Sequence, residues 1–217
     1  MRWTEQVIFA HKNSLAQRPA DRRPRLIALW EQYRNDGSSD PVVETAVELA
    51  TQGNVNEVEL GFYVLMDLAL KDSSLCSNLS KLAHHKSASV RRDLAFYLSW
   101  ELPSDITGSV FTALLRDKAA SVRLKAIDTI GLRNRKGMMT ELRALRERET
   151  NEKVIASLDC WLPLLENGYR VDHEQQPGCF TVTAFSRYGV ASKMVEASSP
   201  DDPRILAVVE ELRKHPG

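Results

Sequence analysis

Arg91-Arg92, Phe96-Tyr97, Arg123, Lys125 and Asp128 are the residues of this sequence whose types and spacing suit chemistry at a surface. The guanidinium of Arg92, four and five residues before the aromatic pair Phe96-Tyr97, can grip carboxylates or phosphates while the rings anchor an apolar contact. That combination serves a protein interface or a phosphate backbone. Catalytic chemistry has no comparable set. The sequence holds no glycine-rich phosphate loop and no Ser, His and Asp in a recognisable context. Cys76, Cys160 and Cys179 are odd in number and widely separated, which argues against a disulfide framework and against a zinc site. Adjacent His84 and His85 cannot point the same way and read as loop residues, so no metal ligand set is expected. We expect no catalytic residue, no cofactor and no metal. The candidate partner-binding residues are Arg92, Phe96, Tyr97, Lys125 and Asp128.

Those residues belong to a repeat. Ser89-Val90-Arg91-Arg92-Asp93-Leu94-Ala95 and Ser121-Val122-Arg123-Leu124-Lys125-Ala126-Ile127 are two versions of one phrase, and Val90 and Val122 lie 32 residues apart (122 − 90). The same step reaches back to Val58 and Leu26 and forward to Val154. Four residues after each come Trp30, Phe62, Leu94, Ala126 and Leu158, and eight after come Met66, Leu98, Ile130 and Leu162, with Arg34 as the first copy's miss. Offsets of 0, 4 and 8 mark one face of an α-helix. A second series of the same period precedes it: Val43 and Leu75; Val47, Leu79 and Phe111; Ala50, Leu82 and Leu114; Val110 and Leu142. Each repeat is therefore two helices and a turn. A pair of that length cannot enclose its own apolar faces, so the copies must stack and share a core.

The pattern Val122-Arg123, Ala126, Ile130-Gly131, with Asp117 six residues before Arg123, resembles the HEAT family and its short-repeat, phycobilin-lyase-type branch. The resemblance covers about Pro41 to Asn167, and one copy carries it whole: His85 stands where the Asp of the Val90 copy would be, and Val58-Glu59 and Val154-Ile155 lack the Arg. It implies an all-α fold, a right-handed α-solenoid of stacked helix pairs with an armadillo-like superhelix. Its second helices would line the concave side, and Arg91 and Arg123 would serve a structural ladder. A fold of this kind hosts many unrelated activities.

Around the repeats, 1–40 reads as N-terminal capping helices and 41–167 as HEAT-like repeats. Residues 168–217 read as a C-terminal cap, with a β-hairpin from Tyr169 to Phe185 around Pro177-Gly178 and a last helix from Arg204 to Lys214. The helix of the Val90 copy is expected to run to Leu102. No apolar run approaches the ~18 residues a membrane span needs, and Met1-Arg2-Trp3-Thr4-Glu5-Gln6 carries no signal-peptide core, so a cytoplasmic protein without a membrane partner is expected.

Charge is balanced, 29 Lys and Arg against 29 Asp and Glu, but unevenly laid down. Residues 35–72 carry one base against eight acids, and 84–153 carry fourteen against nine. Such bands steer charged partners. The expected function is that of a non-enzymatic protein-binding module, an adaptor, inhibitor or immunity-type protein, whose partner is acidic or of mixed charge. The alternative is nucleic-acid binding, in the manner of HEAT-like alkylpurine DNA glycosylases, with Trp100, Trp161, Asp159 and the basic Arg91, Arg92, Arg123 and Lys125 in those roles. Zero net charge suits a duplex binder poorly, because affinity for DNA comes largely from neutralised phosphates. A bilin-lyase-like role follows from the repeat resemblance alone.

Overall fold

The computed structural model describes residues 2–14, 21–98, 101–186 and 189–214. Trp100 and residues 15–20 lie outside them. The chain is mostly helical, with eleven α-helices and one three-stranded antiparallel sheet among the described residues. It divides into two compact units, Met1–Leu114 and Leu115–Gly217.

The first unit holds α1 (Trp3–Asn13), α2 (Arg23–Asp36), α3 (Asp40–Gln52), α4 (Val55–Lys71), α5 (Cys76–Ala83), α6 (Ala88–Tyr97) and all but the last residue of α7 (Ser104–Leu115). Its centre is α4. Leu26, Trp30, Phe62, Met66 and Leu94 have no solvent exposure, as the 0, 4, 8 series requires. Burying an indole strands its N–H unless a partner is supplied. Trp30 Nε1 donates to Asp67 Oδ2 at 2.8 Å, and Asp67, itself wholly buried, is held by Lys71 at 2.9 Å and Arg2 at 3.1 Å. The Arg34 guanidinium lies 4.9 Å from the Trp30 ring centre, a cation–π contact over the same ring.

Two expectations are corrected in this unit. The second series is out of phase on α3, where Val43 and Val47 are half-buried while Val42, Ala46 and Leu49 are wholly buried. The reason is the close approach of α4: a Cβ on Gly61 would stand 2.7 Å from both Ala46 O and Ala50 N, so the two backbones nearly touch and α3 turns a neighbouring row inward. The helix of the Val90 copy ends at Tyr97 rather than Leu102, since Leu98 has ψ 113°. Leu98 and Leu102 are still buried, and Pro103 disfavours a helical Leu102.

The second unit holds α8 (Ala120–Leu132), α9 (Met139–Arg148), α10 (Glu152–Asn167), β1 (Tyr169–His173), β2 (Cys179–Ser186), β3 (Gly189–Glu196) and α11 (Pro203–Lys214). Val122, Ala126, Ile130, Val154 and Leu158 are wholly buried, and Leu162 is half-buried. The sheet order is β1-β2-β3, so the expected hairpin is present and a third strand, absent from the sequence reading, extends it. Phe180, Val182 and Ala184 of β2 pack with Ile205, Val208, Val209 and Leu212 of α11 in a small core of their own.

The packing of α10 on α8 depends on one glycine. A Cβ at Gly131 would lie 2.1 Å from the Trp161 ring, and that ring cannot swing clear because Trp161 Nε1 donates to Asp128 Oδ1 at 3.1 Å. Gly131→Ala should therefore destabilise the protein by about 1–3 kcal/mol through overpacking, despite the helix propensity it adds. Urea unfolding of the two proteins checks this, and a neutral or stabilising result would contradict it.

Candidate functional site

The candidate site is built on α6. Val90, Leu94 and Ala95 turn inward, and the buried Arg91 guanidinium donates from Nη1 to His85 O at 2.5 Å and Lys86 O at 3.1 Å, tying the α5–α6 connection to the helix. The opposite face carries Arg92, with its side chain 46% exposed and 3.3 Å from the Asp93 carboxylate, and Phe96, 51% exposed. Beside it lies a groove of about 360 Å³ lined by Thr51, Gly53, Val55 and Val58 from the α3–α4 corner and by Ser87, Ser89, Arg92, Asp93 and Tyr97 from α6.

Each wall has a local cause. Asn54-Val55-Asn56-Glu57 is a reciprocal helix start: Asn54 Oδ1 accepts from Asn56 N and Glu57 N, and Asn54 N donates back to Glu57 Oε2 at 2.9 Å. That cap leaves Val55 at the first helical position, 78% exposed on the groove rim. Glu57 is further clamped by Arg22, whose Nη2 donates at 2.9 Å and whose backbone N–H donates at 3.0 Å. The Arg22 guanidinium outweighs burial and holds the Glu57 carboxyl down to about 2.

Tyr97 closes the inner wall. It stacks on Phe62 with ring centres 5.5 Å apart and meets Tyr63 edge-on at 5.6 Å, and Trp3 in turn meets Tyr63 at 5.0 Å. Burial, with the Glu59 and Asp93 carboxylates nearby, pushes its phenol up to about 12, so it stays a neutral hydroxyl throughout the physiological range. Behind it Glu59 also faces His11, 3.5 Å from Nε2. Burial lowers the His11 imidazole against the pull of Glu59 and keeps it neutral near pH 7.

Of the sequence-derived residues, Arg92, Phe96 and Tyr97 thus share one helix, with Arg92 and Tyr97 on one groove. Lys125 and Asp128 sit on α8 in the other unit. Lys125 is half-buried. Asp128 Oδ1 accepts from Ser157 Oγ at 2.7 Å and from Trp161 Nε1 at 3.1 Å, so this carboxylate secures α10. Ser89, Asp93 and Val55 line the groove though not among the candidate binding residues, and Val58, expected in the core as a member of the 0, 4, 8 series, is only half-buried and lines it too. For Val55 the signal was legible, because a capping sequence fixes which residue stands at the first turn.

Arg123 repeats the backbone contact of Arg91. Its Nη1 donates to Asp117 O at 2.8 Å, so the bond six residues back goes to the main chain and not to the Asp117 carboxylate, which instead accepts from Ala119 N at 2.8 Å. Arg123 also grips Glu149 through Nε at 2.6 Å and Nη2 at 2.7 Å. Among the other residues a DNA-reading role would use, Asp159 pairs with Arg146 at 2.6 Å and Trp161 lies on Gly131. Among the described residues no group of His, Cys, Asp and Glu could hold a metal ion, and no helix is long and apolar enough to cross a membrane.

Comparison with protein-family models, with curated proteins and with solved structures finds no match to this chain.

Proposed function

We propose that this chain is a HEAT-like solenoid of the cytoplasm that acts by binding a protein, as an adaptor, inhibitor or immunity-type module, with the α6 groove as its contact surface. One observation carries the reading: an exposed phenylalanine stands beside an exposed arginine on a helix whose opposite face is fully committed to the core. Burial of an aromatic ring flanked by a guanidinium is what the energetic centres of protein interfaces are made of. The Asp93 and Val55 rim suits a partner of mixed charge, with an acidic group for Arg92 and apolar groups for Val55 and for Phe96.

Nucleic-acid binding is the weaker reading, because Arg91 and Arg123 spend their donors on carbonyls and Glu149 inside the fold.

Immobilised protein should capture a protein partner from native host extract. Arg92→Glu with Phe96→Ala should weaken that complex by well over ~1 kcal/mol. Folding stability should move by about 0.5 kcal/mol or less per exposed substitution. Lys125→Glu, tested separately, reports whether α8 takes part. Unchanged affinity of the folded double variant, or retention of the parent on duplex DNA at near-physiological salt, would overturn the proposal.

A further inference from the structure

The sheet ends in an open strand. Ala197 N donates to Gly178 O at 2.9 Å and Glu174 N donates to Cys179 O at 3.0 Å. Carried along the antiparallel registers, this parity points the backbone groups of the odd residues of β3 at β2 and those of Val190, Ser192, Met194 and Glu196 away from it. The same even residues put their side chains on the face opposite α11, since Ala191 and Val195 are the ones packed on the core there. Ser192, Met194 and Glu196 are exposed, Met194 to 65%.

An edge of this kind pairs readily unless something guards it, and a lysine in mid-strand is a common guard. Here that lysine is half-exposed and turned toward α11. Lys193 Nζ is bound by both carboxylate oxygens of Glu211 on α11 at 2.6 Å. Among the described residues, what remains is a strand with no proline, unpaired backbone at alternate residues and an exposed methionine.

We infer that β3 is a dimerisation edge, pairing antiparallel with β3 of a second copy of this chain about a two-fold axis at Ser192. The sequence of the strand selects this occupant and this register. A two-fold pairing that joins the outward backbone groups must place even residues opposite even residues. For a strand of residues 189–196, two such registers overlap best. One sets Val190 opposite the second copy's Glu196 and Ser192 opposite Met194, so that each apolar side chain meets a charged or polar one. The other sets Ser192 opposite Ser192 and Val190 opposite Met194 on both sides. That puts hydroxyl beside hydroxyl at the axis and apolar beside apolar on either flank. Its three outward pairs exchange two hydrogen bonds each. An isologous contact of this type closes after two copies, and the sheets join into one of six strands.

The experiment is sedimentation equilibrium over a concentration series, joined to site-directed cross-linking. The parent should show a concentration-dependent dimer. Met194→Lys and Ser192→Pro should each raise its dissociation constant tenfold or more without altering the circular dichroism, since the Ser192 N–H makes no bond to β2. Under mild oxidation Ser192→Cys should give a disulfide-linked dimer beyond any formed by the parent. Val190→Cys should do so only when mixed with Met194→Cys. A dimer insensitive to both β3 substitutions would overturn the inference. So would a monomer at every concentration, which would leave the edge to an extended segment of another protein.

Discussion

Glu149→Gln is expected to cost about 3–5 kcal/mol of folding stability, the price of leaving one member of a buried pair uncompensated. Both carboxylate oxygens of Glu149 are used. Arg123 supplies two charge-assisted bonds, Thr150 N and Asn151 N donate at 3.1 and 3.0 Å, and only 3% of the side chain is exposed. The guanidinium bonds outweigh burial and hold the carboxyl down to about 2. Glu57 in the other unit is held at about 2 in the same way by Arg22. A carboxylate whose value is lower in the folded than in the unfolded chain stabilises above its unfolded value and loses that contribution as pH falls toward the folded one. Both glutamates should therefore support the fold fully above about pH 4.5 and progressively less down to about pH 2, each by about 3 kcal/mol at most. Urea unfolding at pH 7, 4 and 3 reads the slope, and Glu149→Gln should flatten it. An acid dependence identical in parent and variant would show that the pair is not coupled to folding.

Leu94→Ala and Leu98→Ala are each expected to cost about 2–5 kcal/mol. Leu94 has no exposure and Leu98 has 1%, and truncation at either removes buried methyl groups and leaves a cavity beside α6. The second prediction is the more informative, because Leu98 lies just past the end of α6. Its burial comes from the repeat phase and not from a continuing helix. Urea midpoints within error of the parent for both variants would mean that the series does not define the core.

The repeat was legible because it is written in residues that cannot be placed elsewhere. Trp30, Phe62, Leu94, Ala126 and Leu158 share one phase and are all wholly buried. Spacing alone could not supply the distance between backbones, and Gly61 lets α3 and α4 approach so closely that the inward row of α3 shifts. β3 escaped notice for a related reason. As an edge strand it commits only Ala191 and Val195 to the core, and Val190 and Val195 fall on opposite faces, so no period of two stands out. At the candidate site, the pairing of Arg92 with Tyr97 was readable from their shared helix. The part played by Asp128 was not, because its partners Ser157 and Trp161 come from α10 and nothing in the local sequence announces them. Phe96 and Tyr97, adjacent in sequence, divide the two roles that either could have taken: Tyr97 packs on Phe62 and Tyr63, and Phe96 is half-exposed.

Amide hydrogen exchange on the complex captured from the native host tests the central claim most directly, since it reports which backbone is covered without presupposing the partner. Protection is predicted at residues 50–58 and 87–97, the two walls of the α6 groove, and Arg92→Glu with Phe96→Ala should abolish it. Protection confined to other segments, with residues 50–58 and 87–97 exchanging as in the free protein, would contradict the assignment of the groove as the binding surface.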